Sequence, residues 1–352
     1  MGGEAAFKDA VDMLGALVAI PSFSGEEKAA ADYLEKKLSP LFPKQVTRKG
    51  NNLVIDIKGE EKGPTLLLCS HIDTVQVLDE WTHDPFGAEI KDGRLYGLGA
   101  NDAGASLVSL IAAVRLLLPL KKGRVLLALV AEEETGAGGF AAIEQSLPRY
   151  DAAIFGEPTN LKMVSCMRGS MKVAVKSRGI GCHGSTPWEG KNAIDQFAAD
   201  LKILRGIDLK DSSIWGGATM EPTLIHGGKT NNQIPSLVET TLDIRTTPDK
   251  NNAWFLDTLK KTGLDVAILS NRRFPMFNPP DSKIVKAFRA HYPDSPECVF
   301  NGNCDMAFSK APSIILGPGD LKMAHVADEY TELAAIKEAM DVYKNVISTY
   351  LF

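Results

Sequence analysis

The sequence has few cysteines and no long apolar segment, and both absences limit what the protein can be. Its five cysteines among 352 residues form no C-x-x-C pair, and their number is odd. We therefore expect neither a disulfide-stapled fold nor a cysteine zinc site. The most apolar stretch, residues 106–120, contains Arg115 and Pro119 and is too short to cross a bilayer. We expect no membrane partner.

Blocks of basic residues are also absent. The formal net charge is −5, and no run of lysine and arginine suits a nucleic-acid backbone, so no nucleic-acid partner is expected. The first residues carry acids where a secretory signal has a basic and then an apolar segment, which predicts a cytoplasmic location. No G-x-S-x-G motif occurs, so a serine hydrolase has no support.

The first half of the chain alternates between strand and helix patterns. Ser24 and Glu27 match a capping box ahead of an amphipathic helix that ends at Leu38. Near-continuous apolar strands separated by helices predict a mostly parallel sheet covered on both faces, in a three-layer α/β/α domain. The predicted strands are residues 53–57, 65–69, 125–131 and 152–155.

The middle of the chain has a different pattern. Residues 236–245 alternate between apolar and polar side chains, as in strands with one face in water. Helical patterns at 192–204 and 251–261 could cover the other face. We predict a smaller α+β domain over residues 172–276, inserted into a larger domain of residues 1–171 and 277–352.

Histidines and acids follow nearly every predicted core strand. Each alone has a structural explanation, such as a polar residue at the end of a strand or a helix cap. Their recurrence at the carboxyl edge of a parallel sheet, where ligands collect, predicts one shared site. The residues are His71, Asp73, Asp102, Glu132, Glu133, Glu134, Glu157 and His325.

Three consecutive glutamates end the apolar run of residues 125–131. Like charges this close repel, so they either cap a strand in solvent or face a strong positive charge. Imidazoles and carboxylates without thiolates suit zinc, cobalt or manganese better than calcium. They fit two ions about 3.5–4 Å apart that share a carboxylate. For Glu132, the alternative remains that it only caps the end of the strand in solvent.

Five motifs in order resemble one family over the whole chain. They are His71-Ile72-Asp73, "LYGLGANDAG", "AEEETGAGG", "GEPT", and "GPG" followed by "AHVADEY". The family is that of the dinuclear-zinc deacylases and exopeptidases, which includes acetylornithine deacetylase, succinyl-diaminopimelate desuccinylase, aminoacylase and carboxypeptidase G. The resemblance implies a catalytic domain with an inserted lid and dimerisation domain.

The resemblance also implies a metal centre with two zinc ions per subunit, which cobalt or manganese can replace. It assigns His71 and Glu157 to one ion and Glu134 and His325 to the other, with Asp102 bridging both.

Further roles follow from the same resemblance. Glu133 is the implied general base, and Asp73 the residue that orients His71. Regular alternation would point Glu133 away from its two neighbours, so this assignment requires the strand to end before it. "GCHGST" resembles the family's histidine motif, which implies that His183 steadies the oxyanion in a partner subunit's site. A homodimer through the inserted domain is therefore expected.

Substrate residues are inferred from weaker matches. "NNQIP" resembles the family's Asn-x-Ile-Pro and makes Asn232 a candidate, with a turn cap as the alternative. Arg245 could bind a substrate carboxylate through its bidentate fork, and an ordinary surface charge is the alternative. The remaining candidates are Arg168, Gly302 and Asp305.

Two departures from the desuccinylases favour a different substrate. Met167 stands where those enzymes carry the first of two arginines, and residues 304–307 lack the arginine that follows their Ser-Asp-Gly. Both departures remove cations that could hold a distal carboxylate. We expect an N-acyl amino acid as substrate, with N-acetylornithine favoured, in arginine biosynthesis, and N-acylcitrulline as an alternative.

Other functions remain as alternatives. The same scaffold could serve as a succinyl-diaminopimelate desuccinylase, an aminoacylase or a dipeptidase. A non-catalytic metal-binding relative would have lost the base or a ligand, and this chain keeps them. Residues 136–141 match G-x-G-x-x-A, as in dinucleotide sites. The three preceding carboxylates would repel a pyrophosphate, so we reject an oxidoreductase.

Overall fold

A computed structural model describes residues 2–136, 138–211 and 214–352. The chain divides into two compact units. Unit 1 comprises Met1–Ser165, Asn278–Cys298 and Cys304–Phe352, and unit 2 comprises Cys166–Phe277 and Val299–Asn303. The first boundary thus precedes the one we place after residue 171. A lid or dimerisation role for the inserted segment stays a prediction.

The secondary structure follows the alternation of the sequence. The helices are α1 (Gly3–Val18), α2 (Lys28–Leu38), α3 (Ala105–Leu116), α4 (Gly139–Ile143), α5 (Ala193–Arg205), α6 (Asn252–Lys261), α7 (Lys283–Arg289) and α8 (Leu333–Leu351). The strands are β1 (Val46–Lys49), β2 (Asn52–Lys58), β3 (Glu61–His71), β4 (Ile90–Lys91), β5 (Arg94–Tyr96), β6 (Lys122–Val130), β7 (Ala152–Phe155), β8 (Val164–Met167), β9 (Gly169–Arg178), β10 (Cys182–His183), β11 (Thr219–Gly227), β12 (Gln233–Ile234), β13 (Leu237–Thr246), β14 (Val266–Arg273), β15 (Met276–Phe277), β16 (Cys298–Phe300), β17 (Ser313–Ile315) and β18 (Tyr330–Glu332).

The main sheet of unit 1 has a parallel centre and antiparallel edges. Its strands lie in the order β1-β2-β6-β3-β7-β17-β8. The pairs β6–β3, β3–β7 and β7–β17 are parallel, whereas the pairs toward either edge are antiparallel. The predicted α/β fold is confirmed. Because the central strands run the same way, their carboxyl ends meet at one edge of the sheet.

Both faces of this sheet are buried. Leu66 and Leu68 of β3 belong to a core that also contains apolar residues of α1, α3 and α8. Leu67, which alternates to the opposite face, is equally buried. On that face Phe140 of α4 packs edge-to-face on Phe155, with ring centroids 5.3 Å apart. Burial on two sides explains why the strands read as continuous apolar runs.

Unit 2 contains an antiparallel sheet in the order β11-β13-β9-β14. The alternation predicted for residues 236–245 is confirmed, because every second residue of β13 is buried. Leu242 and Ile244 of β13 pack with Leu204 of α5 and Phe255 of α6. The opposite face carries the polar side chains.

The capping box predicted for α2 is wrong. The helix begins at Lys28, and no side chain caps it. Ser24 Oγ instead donates to Asp73 Oδ2, at 2.7 Å. The carboxylate of Glu27 accepts from the backbone N–H of Gly25 and of Glu132. Ser24 thus binds Asp73, and Glu27 binds Glu132; both partners lie far away in sequence, so the local pattern does not reveal them.

Across residues 2–136, 138–211 and 214–352, no helix combines the length and apolar character needed to span a bilayer.

Candidate metal centre and catalytic carboxylate

Three side chains, two from strand ends and one from a turn before a helix, form a compact cluster in unit 1. His71 is the last residue of β3, Glu134 follows β6, and Asp102 lies in the turn Ala100–Gly104 that leads into α3. One donor atom from each lies within 4.8 Å of the other two. The peptide bond from Asp102 to Ala103 is cis. The sheet therefore brings predicted ligands together from segments far apart in sequence.

The buried half of the cluster centres on His71. Its Nε2 lies 3.2 Å from Asp102 Oδ1 and 3.7 Å from Glu157 Oε2. Its Nδ1 lies 2.9 Å from the carbonyl oxygen of Asp73. A proton on Nδ1 can be donated to that carbonyl, so that displacement of the Nε2 proton by a bound cation would leave the Nε2 lone pair free to bind the cation. This tautomer suits a metal-ligating imidazole.

The more exposed half centres on His325. Its Nε2 lies 2.9 Å from Glu134 Oε1 and 3.6 Å from Asp102 Oδ2. The two oxygens of Asp102 thus face two different histidines. This is the arrangement expected of a carboxylate shared between two cations.

The spacing of these donor atoms tests whether metal ions fit. Two ligands at tetrahedral angles on a zinc ion, each about 2.0–2.1 Å from it, lie about 3.3 Å from each other. Three of the imidazole–carboxylate distances, 3.2, 3.6 and 3.7 Å, are close to that spacing, and the fourth, 2.9 Å between His325 and Glu134, is slightly shorter. Nitrogen and oxygen donors without thiolates suit zinc, cobalt or manganese. The residues fit a pair of divalent cations.

The pKa values reflect the acidity of the cluster. Burial opposes protonation of His71, but hydrogen bonds to Asp102, Asp73 and Glu157 raise its pKa well above the usual range. The hydrogen bond to Glu134 raises the pKa of His325 to about 9. Protons on the imidazoles therefore compensate the carboxylates, and bound cations would take over that role.

Two acids of the site have raised pKa values themselves. Burial raises the pKa of Glu157 to about 7. Burial and the negative charge of Glu157 raise the pKa of Glu133 well above its usual range. A buried carboxyl with a raised pKa beside a metal site is a candidate general base.

The backbone around Glu133 departs from the strand conformation. Strand β6 ends at Val130, and Glu132 has a left-handed φ of 58°. The alternation that would have placed Glu133 opposite Glu134 therefore ends before either residue. Their backbone N–H groups donate to Asp73 Oδ1 and Oδ2, both at 3.1 Å. The carboxylate of Asp73 thus holds the turn as well as lying beside His71.

Glu329 is a residue of the site that the sequence analysis did not identify. It is 1% exposed, and its carboxylate accepts three backbone N–H groups. The N–H groups of Asn101 and Asp102 lie 2.8 and 3.0 Å from Oε1, and that of Gly99 lies 3.1 Å from Oε2. Burial raises its pKa to about 8, against the opposing effect of these donors. In the sequence, only its position in the "AHVADEY" motif indicated that Glu329 belongs to the site.

Unit 2 carries the predicted histidine and asparagine in exposed loops. His183 is exposed, and its Nδ1 lies 2.7 Å from Ser185 Oγ. Asn232 is also exposed, and its carbonyl oxygen accepts from the N–H of Gly184. The two candidates therefore lie on adjacent segments, which the β10–β12 pair joins.

The arginine candidates of unit 2 already have partners. Arg245 Nε donates to Asp243 Oδ1 at 2.7 Å. Arg168 Nη2 donates to the carbonyl oxygen of Trp215, and burial lowers its pKa. Gly302 is half-buried. Because Nη2 of Arg245 also donates to Asp243 Oδ2 at 3.4 Å, the guanidinium would have to be shared between Asp243 and a substrate carboxylate.

The glycine-rich segment and Asp305 contact each other. Asp305 is 3% exposed, and its Oδ2 accepts the N–H of Phe140 at 3.2 Å. The carboxylate thus already accepts the hydrogen bond of a backbone N–H group that a pyrophosphate would need at the start of α4. Ala137 of the G-x-G-x-x-A match lies outside the described residues. The contact adds to the case against a dinucleotide site.

Two imidazoles and three carboxylates at the strand ends of an α/β sheet define a metal-dependent hydrolase. Residues 67–349 match the family described as peptidase family M20/M25/M40. The chain is 30% identical over 374 residues to acetylornithine deacetylase of Klebsiella pneumoniae (strain 342), which covers 96% of each chain. The chain belongs to the M20/M25/M40 family.

Solved structures share the fold at lower identity. A tripeptidase from Staphylococcus aureus aligns with a TM-score of 0.82 and 21% identity over 98% of both chains. An M20 family metallo-carboxypeptidase from Sulfolobus solfataricus aligns with a TM-score of 0.79 and 20% identity, over 97% of this chain and 99% of the other. The predicted family and α/β architecture are confirmed, and the protein is a metal-dependent amidohydrolase.

Proposed function

We propose that the protein removes the acyl group from an N-acyl amino acid, with N-acetylornithine as the favoured substrate, in the cytoplasmic synthesis of arginine. The observation that carries the proposal is Glu133, a buried carboxyl with a raised pKa, beside carboxylate-linked histidines. The acetylornithine deacetylase of K. pneumoniae, similar over nearly the whole chain, supports the substrate. Five free thiols agree with a reducing compartment.

We propose two zinc ions as the resident metals, with cobalt or manganese able to replace them. His71 and Glu157 would hold one ion, Glu134 and His325 the other, and Asp102 both. Bound ions at this place polarise an acyl carbonyl and lower the pKa of water toward neutrality.

The chain's own residues carry the proton transfers. Glu133 accepts a proton from the attacking water and later returns it to the leaving amine. Burial raises the pKa of Glu133, which makes its carboxylate a stronger base for this transfer. The backbone carbonyl of Asp73 orients His71, and the carboxylate of Asp73 holds the backbone N–H groups of Glu133 and Glu134. We propose that His183 of each copy donates to the developing oxyanion in the site of the second copy.

The proposed substrate preference depends on which arginine side chains are present to bind carboxylates of the substrate. Arg245, paired with Asp243, is the proposed partner of the substrate's α-carboxylate. Asn232 and Arg168 are further proposed contacts, with Gly302 and Asp305 as weaker candidates. Met167 provides no second cation for a succinyl carboxylate. Desuccinylase, aminoacylase and dipeptidase activities are the alternatives that a substrate panel separates.

We propose that unit 2 forms a homodimer. Strand β11 is an edge of its sheet and pairs only with β13 among the residues described. Leu224 and Ile225 on it are 56% and 55% exposed. An edge strand that exposes apolar side chains favours pairing with a second copy. Ile225→Lys should yield monomers in analytical ultracentrifugation, while the exposed Lys229→Glu should leave the dimer intact. A monomeric wild-type protein would refute the dimer.

Metal analysis and a hydrolysis panel test the function together. Glu133→Gln should keep two ions per chain and lose turnover of N-acetylornithine by several orders of magnitude. Glu132→Gln, one residue away, is the matched control and should retain activity. The panel adds N-acetylcitrulline, N-succinyl-diaminopimelate and dipeptides. An active Glu133→Gln enzyme with full metal content rejects the assigned base, and preference for another panel member rejects the substrate.

A further inference from the structure

The turn that carries the three glutamates is held by side chains rather than by the sheet. Four consecutive backbone N–H groups after β6 donate to side-chain oxygens. That of Ala131 donates to Asn52 Oδ1 at 2.9 Å, and that of Glu132 to Glu27 Oε1 at 3.2 Å. The next two donate to the two oxygens of Asp73. None of the three acceptors is adjacent to the turn in sequence.

Glu27 is built into this arrangement. Its side chain is fully buried, at 0% exposure. Besides Glu132, its oxygens accept from the N–H of Gly25 at 2.6 Å and from Asn51 Nδ2 at 3.0 Å. A buried carboxylate requires such donors, and three of them explain why an acid is tolerated here. The carboxylate is therefore fixed on both oxygens.

The residue that Glu27 holds has an uncommon conformation. Glu132 has a φ of 58°, a left-handed value that non-glycine residues seldom adopt. Such conformations persist where the surroundings determine them. If Glu132 relaxed to an extended conformation, the pleat would continue and the following residue would point to the other face of the sheet. That following residue is Glu133.

We propose that Glu27 is a positioning residue for Glu133. By binding the N–H of Glu132, it keeps the turn left-handed and the side chain of Glu133 on the side of the histidines. The hydrogen bonds of Glu27 described above go to the backbone of Gly25 and Glu132 and to the side chain of Asn51, so it acts on Glu133 through the backbone. The expected effect of Glu27 on catalysis rests on the proposed function, whereas its expected effect on the conformation of the turn does not.

Three variants separate the role of Glu27 from general stability. Glu27→Ala removes the acceptor, and Glu27→Gln keeps an oxygen at the same place while Asn51 can turn its amide to match. Glu26→Ala, at the exposed neighbouring position, is the matched control. Each full-length protein is loaded with zinc and assayed with N-acetylornithine for kcat and KM. Hydrogen exchange of the peptide spanning residues 131–136 is followed by mass spectrometry.

For Glu27→Ala we expect exchange of that peptide to quicken by about tenfold or more. We also expect kcat to fall about 10–100-fold with KM unchanged, because a misplaced base weakens the transition state alone. Glu27→Gln should recover most of both, and Glu26→Ala should match the wild type. Wild-type exchange and kcat in Glu27→Ala would overturn the proposal, as would a fall in kcat without faster exchange.

Should Glu27→Ala fail to fold, Glu27→Asp replaces it. Aspartate keeps the charge but is one methylene too short to reach the N–H of Glu132, so the same losses are expected, and wild-type behaviour overturns the proposal. If the wild-type protein hydrolyses nothing in the panel, the proposed function fails. The exchange measurement still tests whether Glu27 holds the turn at Glu132.

Discussion

Replacing Glu329 tests how the turn that carries Asp102 is held. In Glu329→Gln one oxygen can still accept from Asn101 and Asp102, while an amide nitrogen faces the N–H of Gly99. One hydrogen bond to a buried N–H group is lost, and leaving that donor unpaired corresponds to about 1–3 kcal/mol. In Glu329→Ala all three buried N–H groups lose their acceptor. At about 1–3 kcal/mol for each, and with partial rescue by water, we expect a loss of about 3–5 kcal/mol.

Urea unfolding of the metal-free proteins, followed by circular dichroism, measures these losses. Glu332→Gln is the control, because Glu332 is partly exposed and pairs with Arg94 at the surface, where ion pairs contribute little. Zinc affinity should fall in the same order as stability, since the Asp102 turn carries the bridging carboxylate. If Glu329→Ala were no less stable than Glu332→Gln, the reasoning about buried acceptors would be refuted.

Three further predictions concern the same centre. Zinc uptake should release protons and tighten as pH rises, because Glu134 raises the pKa of His325 to about 9; calorimetry in two buffers of different ionisation enthalpy should show unequal heats, and equal heats would contradict it. Asp73→Ala should lower kcat about 10–100-fold in steady-state assays, and wild-type kcat would contradict the positioning role. Gly317→Ala should destabilise the fold by about 1–3 kcal/mol in urea, because its Cβ would collide with the carbonyl oxygen of Glu157; an unchanged midpoint would show that the loop yields.

The strands and their terminal ligands could be predicted because their signals are local. The apolar run at residues 152–155 coincides with β7, and the predicted helices of unit 2 lie within a residue of α5 and α6. A buried parallel strand needs a continuous apolar run, so the run reveals it. His71 and Glu157 follow such runs directly. Their proximity then follows from the shared edge of the sheet.

The residues that hold the site in place could not be predicted in the same way. Glu27 and Glu329 accept hydrogen bonds from the N–H groups of Glu132 and Asp102, which lie far away in sequence. Every residue except proline has a backbone N–H, so the partner of such a carboxylate carries no sequence signal. Glu27 instead matched a capping box, because an acid three residues after Ser24 satisfies that pattern by chance.

The end of β6 shows why a strand boundary can depend on residues outside the strand. The glycine-rich segment after Glu134 predicted that the strand stops, but it did not say where. In the structure, the N–H groups of residues 131–134 are engaged by side chains, so they are not available to extend the pairing with β2 or β3 beyond Val130. The strand ends where its donors find other acceptors. The side on which Glu133 lies is thus decided by Asn52, Glu27 and Asp73, none of which belongs to β6.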